Sequence, residues 1–122
     1  MENINEPLNK TITDIHNLLI WETDSYGSLA PRYSSIVHAE NWIRRLYTQI
    51  AFGNWLNPNV TAGPEGEVVF EWWYGAKKLT VYVSSPNVEY IKVWGTDIYT
   101  DMEDGDAEPI DTCKELWSWL RN

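Results

Sequence analysis

One cysteine, Cys113, occurs in 122 residues, so no intramolecular disulfide can form and the fold has to stand on its own core. A chain of this length buries roughly two-thirds of its extended surface, enough for a single domain without a metal or disulfide staple. The same scarcity fits a reducing compartment, and a cytoplasmic location is the expectation. Long apolar runs are missing too, and the opening Met-Glu-Asn-Ile-Asn-Glu has neither the basic nor the apolar stretch of a secretion signal. Basic residues are the third shortage, nine Lys and Arg against eighteen Asp and Glu, for a net charge of −9. They are scattered along the chain, which argues against direct nucleic-acid binding and against an anionic membrane.

Residues that carry chemistry are sparse as well. His16 and His38 are the two histidines, each on an expected helix with no second ligand at metal-binding spacing, so neither a metal nor another cofactor is expected. Gly27, Gly63 and Gly66 do not form a phosphate loop. Cys113 falls on the apolar stripe of the last helix, where a thiol is ordinarily a small buried group; a Cys113–His38 pair would need the fold to bring the two together. Glu67 and Glu71 share one side of a strand with Trp73, as acids beside aromatics do in sugar-processing sites. Four residues apart on one strand is about 13 Å, and solubilising charge is the simpler account. No catalytic residue is assigned.

Aromatic rings, by contrast, are abundant. Eight Trp and seven Tyr exceed what a core of this size requires, so some must stand at least half exposed. The chain is organised around Pro64–Val83. From Glu67 to Tyr74, alternation places Val68, Phe70, Trp72 and Tyr74 on a core face and Glu67, Val69, Glu71 and Trp73 on the other. Gly75-Ala76-Lys77-Lys78 reads as the hairpin loop, and Leu79, Val81 and Val83 as the apolar face of the return strand. Leu8, Ile12, Ile15 and Leu19 predict an amphipathic helix over 7–20. Ile36, Ala39, Ile43, Leu46 and Ile50 predict the main helix over 34–52, capped by Ser34 or Ser35. Trp21–Pro31 is expected as an ordered loop and 55–66 as another. Val88–Trp94 predicts a third strand whose buried face is ambiguous, Thr96–Thr100 a weaker fourth, and Pro109 onward a short last helix carrying Ile110, Cys113, Leu116 or Trp117, and Leu120.

Two motifs, Trp21-x-x-Asp24-Ser25-Tyr26-Gly27 with Pro31, and Pro58-x-Val60 followed by Pro64-x-Gly66-x-Val68-x-Phe70-x-Trp72, carry a further signal. Together, over roughly Trp21–Val83, they resemble a recurring pattern in small bacterial proteins of no assigned activity, many of them cyanobacterial. That resemblance implies a helix-plus-sheet layout and no catalytic residue.

Charge is the most informative feature. Asp97, Asp101, Glu103, Asp104, Asp106, Glu108, Asp111 and Glu115 face only Lys114 between positions 97 and 115, so that window holds −7 of the net −9. Its Asp-x-Glu-Asp-Gly-Asp run lacks the acid spacing and closing Glu of a helix-loop-helix calcium site. A solvated acidic loop is the simple expectation, and attraction to a basic protein the sharper one. The sequence therefore predicts an α+β domain: an antiparallel sheet of three or four strands, a long helix on one face, and flanking terminal helices. Its expected role is a non-catalytic module that binds another protein, basic and nucleic-acid-binding, as antitoxins and phage-encoded anti-CRISPR inhibitors do. Asp101, Glu103, Asp104, Asp106, Glu108, Trp73, Tyr82 and Glu71 are the candidate contact residues. Two other roles stay open: a ligand-binding protein or small enzyme with an aromatic pocket around Trp21, Tyr26 and Trp72, and a structural subunit of a larger assembly.

Overall fold

The computed structural model describes residues 6–19, 31–50 and 54–122. The expected loop at Trp21–Pro31 lies outside the described residues except for Pro31, which is buried. In chain order the described elements are α1 (Glu6–Asn17), α2 (Tyr33–Gln49), β1 (Asn59–Ala62), β2 (Val68–Tyr74), β3 (Lys77–Val83), β4 (Val88–Val93), β5 (Met102–Asp106) and α3 (Ile110–Arg121). The strands form one antiparallel sheet in sequence order, a meander in which each strand pairs with the next. The fold is α+β, with α2 and α3 packed on β2 and β3 and α1 packed on α2 and β1.

The hairpin register decides the two faces. Val68, Phe70 and Trp72 pair with Val83, Val81 and Leu79, and those in turn face Val88, Tyr90 and Lys92. This inner face is buried through Tyr90 and meets Ile36, Ala39, Trp42, Ile43 and Leu46 of α2. Tyr74, expected on the same face, ends β2 and is exposed, with Arg121 of α3 as its neighbour 4.7 Å from the ring centre. The turn is shorter than expected: Gly75 and Ala76 alone connect the strands, with Gly75 at a φ of 62°, and Lys77 and Lys78 already belong to β3.

α1 and α2 each begin one residue earlier than expected and end about three residues sooner. α1 ends at Asn17, so Leu19 falls in the turn beyond it and is exposed, whereas Leu8, Ile12 and Ile15 are buried as their spacing requires. α2 buries a broader face than its five-residue stripe, adding Ser35, Trp42 and Tyr47, while Ile50 is the extended C-cap residue. Its N-cap is Arg32, not Ser34 or Ser35; Ser35 is inside the core and its Oγ has no hydrogen-bond partner among the described residues.

Two expected loops contain strands. Asn59–Ala62 adds β1 to the free side of β2, and the acidic run supplies β5, while Thr96–Thr100, expected as the fourth strand, is a turn. Local composition misled in both places, because an edge strand only needs a partner for its backbone on one side and tolerates charge on the other. Gly105 explains how so polar a strand pairs: its Cα lies opposite Tyr90, and a Cβ there would fall 2.9 Å from the Tyr90 ring. Lacking one, it lets the ring cross β5.

Tryptophan holds the layers together. Trp42 stacks on Phe70 with centroids 5.8 Å apart, Trp55 stacks on Trp117 at 5.3 Å, and Trp72 meets Trp117 edge-on at 5.8 Å. Three indole N–H groups tether loops. Trp72 Nε1 donates to the Leu56 carbonyl at 2.8 Å, Trp55 Nε1 to Asn57 Oδ1 at 3.0 Å, and Trp42 Nε1 to the Ala107 carbonyl at 2.9 Å. The last bond pins the β5–α3 connection to α2, an arrangement reinforced by Cys113 Sγ donating to the same carbonyl at 3.0 Å.

Candidate functional site

The hydrophobic core that the described helices share with the sheet contains none of the sheet's outer-face side chains. Strand alternation assigns its side chains in rows: Val69, Tyr82, Glu89 and Asp106 across one row, Glu71, Thr80, Ile91 and Asp104 across the next, and Trp73, Lys78, Val93 and Met102 across the third. Val69 and Thr80, in the middle, are buried; the flanking residues are half-buried or exposed. Tyr82 and Ile91, with Pro86, floor a groove of about 630 Å3 whose rim carries Glu67, Glu89, Asp104, Asp106 and Glu108. Five carboxylates thus share one concavity with aromatic and aliphatic side chains.

The candidate contact residues divide into three groups. Asp104, Asp106, Glu108 and Tyr82 come together in the groove. Within it Glu89 and Asp104 make no ion pair among the described residues, and Asp106 Oδ1 accepts the Glu108 N–H at 2.9 Å. Glu108 is tethered from the other side: Arg45 Nη2 lies 3.0 Å from one of its oxygens and His38 Nε2 3.0 Å from the other. Both side chains belong to α2, so Glu108 on the acidic rim is held in place by the main helix.

Glu103 leaves the group. Alternation turns it toward the inner side, where Lys92 Nζ lies 2.8 Å away and the Tyr90 hydroxyl donates to it at 3.3 Å. The Lys92 hydrogen bond holds its carboxyl below the usual glutamate range, and Tyr90 is pushed above the usual phenol range by burial and by Glu103. Trp73, Glu71 and Asp101 belong to the far end of the sheet. Lys78 pairs with Glu71 at 3.0 Å and lies 5.3 Å from the centre of the Trp73 ring. Asp101 closes the β4–β5 loop, where its carboxylate accepts the Asp97 N–H at 3.2 Å.

Glu89 and Ile91 are site residues that sequence reasoning did not select. Alternation along β4 separates them from Tyr90, but only the register, Tyr82 opposite Glu89 and Ile91 opposite Asp104, brings them to the groove. Nucleophilic chemistry finds no support. Cys113 is buried, its thiol pushed up to about 11 chiefly by burial, and its partner is the Ala107 carbonyl, whereas His38 is engaged with Glu108. Among the described residues no group of His, Cys, Asp and Glu is placed to hold a metal ion. Trp72, once a candidate for a ligand pocket, is a core residue with its N–H in use. No described helix is long and apolar enough to cross a membrane. Compared with family models, with curated proteins and with solved structures, the chain matches none, so function has to be argued from its own geometry.

Proposed function

We propose that this protein is a non-catalytic binding module whose acidic groove takes a Lys- or Arg-bearing segment of another protein, and that it inhibits a nucleic-acid-binding partner by covering its basic surface. The observation that carries this is the groove itself. Carboxylates gather around Tyr82 and Ile91, and among the described residues Glu89 and Asp104 have no ion pair, so a partner's cation would find them unneutralised. The floor is suited to the aliphatic stem of Lys or Arg, and the Tyr82 ring to the charged head. Charge of one sign concentrated at a concavity also raises the on-rate for a basic partner.

The test begins with the triple variant Glu89→Gln, Asp104→Asn, Asp106→Asn. Native protein captures its partner from a host lysate and the variant does not; the purified partner then associates with native protein at a rate that falls with added salt, since a Debye length of about 8 Å at physiological ionic strength already screens distant charge. A captured partner without a basic surface, or equal on-rates for native and neutralised protein at low salt, would remove the proposal.

A further inference from the structure

A second concavity, of about 420 Å3, lies where the C-terminal end of α2 meets α3. Gln49 and Asn54 line it from the α2 side, and Lys114, Trp117, Ser118 and Arg121 from α3, where their spacing places them along one face of the helix. Its charge is opposite in sign to that of the groove. None of the described residues that line it is Asp or Glu, and two are cations, in a chain of −9.

Those two cations are not spent on the protein itself. Among the described residues Lys114 makes no ion pair, although Asp111 and Glu115 belong to the same helix. Arg121 lies 4.7 Å from the centre of the Tyr74 ring, a contact that positions the guanidinium and leaves its N–H donors for an acceptor. Basic residues near a helix C-terminus ordinarily bond the last carbonyls. Here Lys77 does so: its Nζ donates to the Trp119 carbonyl at 2.6 Å and the Asn122 carbonyl at 3.2 Å, while the Asn122 N–H donates to the Ser118 carbonyl at 3.2 Å. No hydrogen bond ties the side chain of Lys114 or Arg121 to a carbonyl among the described residues.

Trp117 gives an independent sign. It is 5% exposed, it lines the pocket, and its Nε1–H is buried without an acceptor among the described residues. The indoles of Trp42, Trp55 and Trp72 all have acceptors. Buried donors are nearly always satisfied, and one left open beside a polar cavity is an unmet place for an acceptor atom.

We propose that this pocket binds a small phosphate monoester. The ligand must supply acceptors only, because the groups waiting for it are the donors of Lys114, Arg121 and Trp117. It must also be an anion of about two charges, since two cations stand there without a carboxylate; a phosphate monoester above its second pKa of about 6 meets both conditions. The guanidinium of Arg121 is the group best shaped for two phosphate oxygens, and Lys114 adds a point charge from two helical turns away. A volume of this size suits a metabolite and not a macromolecular surface. The inference stands on this pocket alone and does not depend on the acidic groove.

The test follows the Trp117 indole N–H directly. In nitrogen-15 NMR at pH about 7.5, inorganic phosphate titrated to about 20 mM, against sodium chloride of equal ionic strength, should move that resonance downfield along a saturating curve. Lys114→Gln with Arg121→Gln should weaken binding about tenfold or more while the other indole resonances stay in place. Lys114→Gln alone, at an exposed position without an ion pair, carries the same test should the double variant not fold. Asp104→Asn with Asp106→Asn should bind phosphate as native protein does. A resonance that does not move, that follows chloride as far as phosphate, or that gives the native curve in the Lys114 variants would overturn the proposal. So would acetate acting as strongly as phosphate, which would make the pocket a carboxylate site.

Discussion

Trp72 and Trp73 are consecutive, yet the first is 2% exposed and the second 55%. They stand for the two faces of the sheet. On the inner face the buried rings of β2 meet other rings: Trp72 touches Phe70, Trp55 and Trp117 and donates to Leu56. On the outer face rings alternate with charge along and across the strands, and each ring has solvent on one side. The inner face is therefore an element of stability and the outer face a surface whose residues are available for contact. The same strands serve both, so a change that respects alternation should separate folding from binding.

The largest separation is expected between the two tryptophans. Trp72→Ala should cost about 3–5 kcal/mol, the cost of emptying an aromatic core position, and in addition frees the Leu56 carbonyl. Trp73→Ala should cost less than about 1 kcal/mol, as at other exposed positions. Chemical denaturation of both variants tests the pair, and similar losses would mean that the outer face is covered.

Gly105→Ala should come next. Its Cβ would meet the Tyr90 ring, so that either the ring or β5 must shift, at about 1–3 kcal/mol. Thermal unfolding of this variant reports whether the acidic strand is an integral part of the sheet; no change in midpoint would mean that β5 is peripheral.

Asp104→Asn with Asp106→Asn should alter stability by no more than about 0.5 kcal/mol, because these side chains stand on the solvent side of an edge strand. Their loss should be felt by a basic partner and not by the fold. A large destabilisation would break the distinction between the two faces.

The smallest effect concerns Glu103, which shares β5 with those acids but faces the other way. Lys92 holds its carboxyl below the usual glutamate range, so the pair adds stability above that range and loses it as pH falls through the lowered folded-state value. At 51% side-chain exposure for Glu103 the contribution is that of a screened surface pair. Carboxyl NMR titration should find its midpoint low in native protein and returned toward the usual value in Lys92→Met. Titration unchanged by that substitution would show that Glu103 does not pair with Lys92.

The elements with strong periodicity were legible in sequence. The stripe of α2, the alternation of β2 and β3 and the apolar positions of α3 each repeat often enough to override local exceptions, and Ile43, Phe70, Val81 and Cys113 are buried as that patterning requires. Edge strands were not legible. Asn59–Ala62 offers only Val60 and Ala62 to the inner face and Met102–Asp106 has no apolar face, so neither run is long or apolar enough to announce a strand without the unpaired backbone that β2 and β4 offer.

The candidate site shows the same division. Sequence determined that the charge of this protein is concentrated late in the chain and that its rings exceed its core. Tertiary structure decided which of those acids act together. One residue of register sends Glu103 to Lys92 on one side of β5 and Asp104 toward Ile91 on the other, and the pairing of β3 with β4 adds Glu89 to a groove that no linear window contains. Strand pairing together with the packing of α3 gathers Lys77, Lys78, Lys92 and Arg121, scattered over 45 positions, around four exposed or half-exposed rings at the opposite end. Charge count is a property of composition; charge placement depends on which backbone groups pair, and that is settled only when the sheet forms.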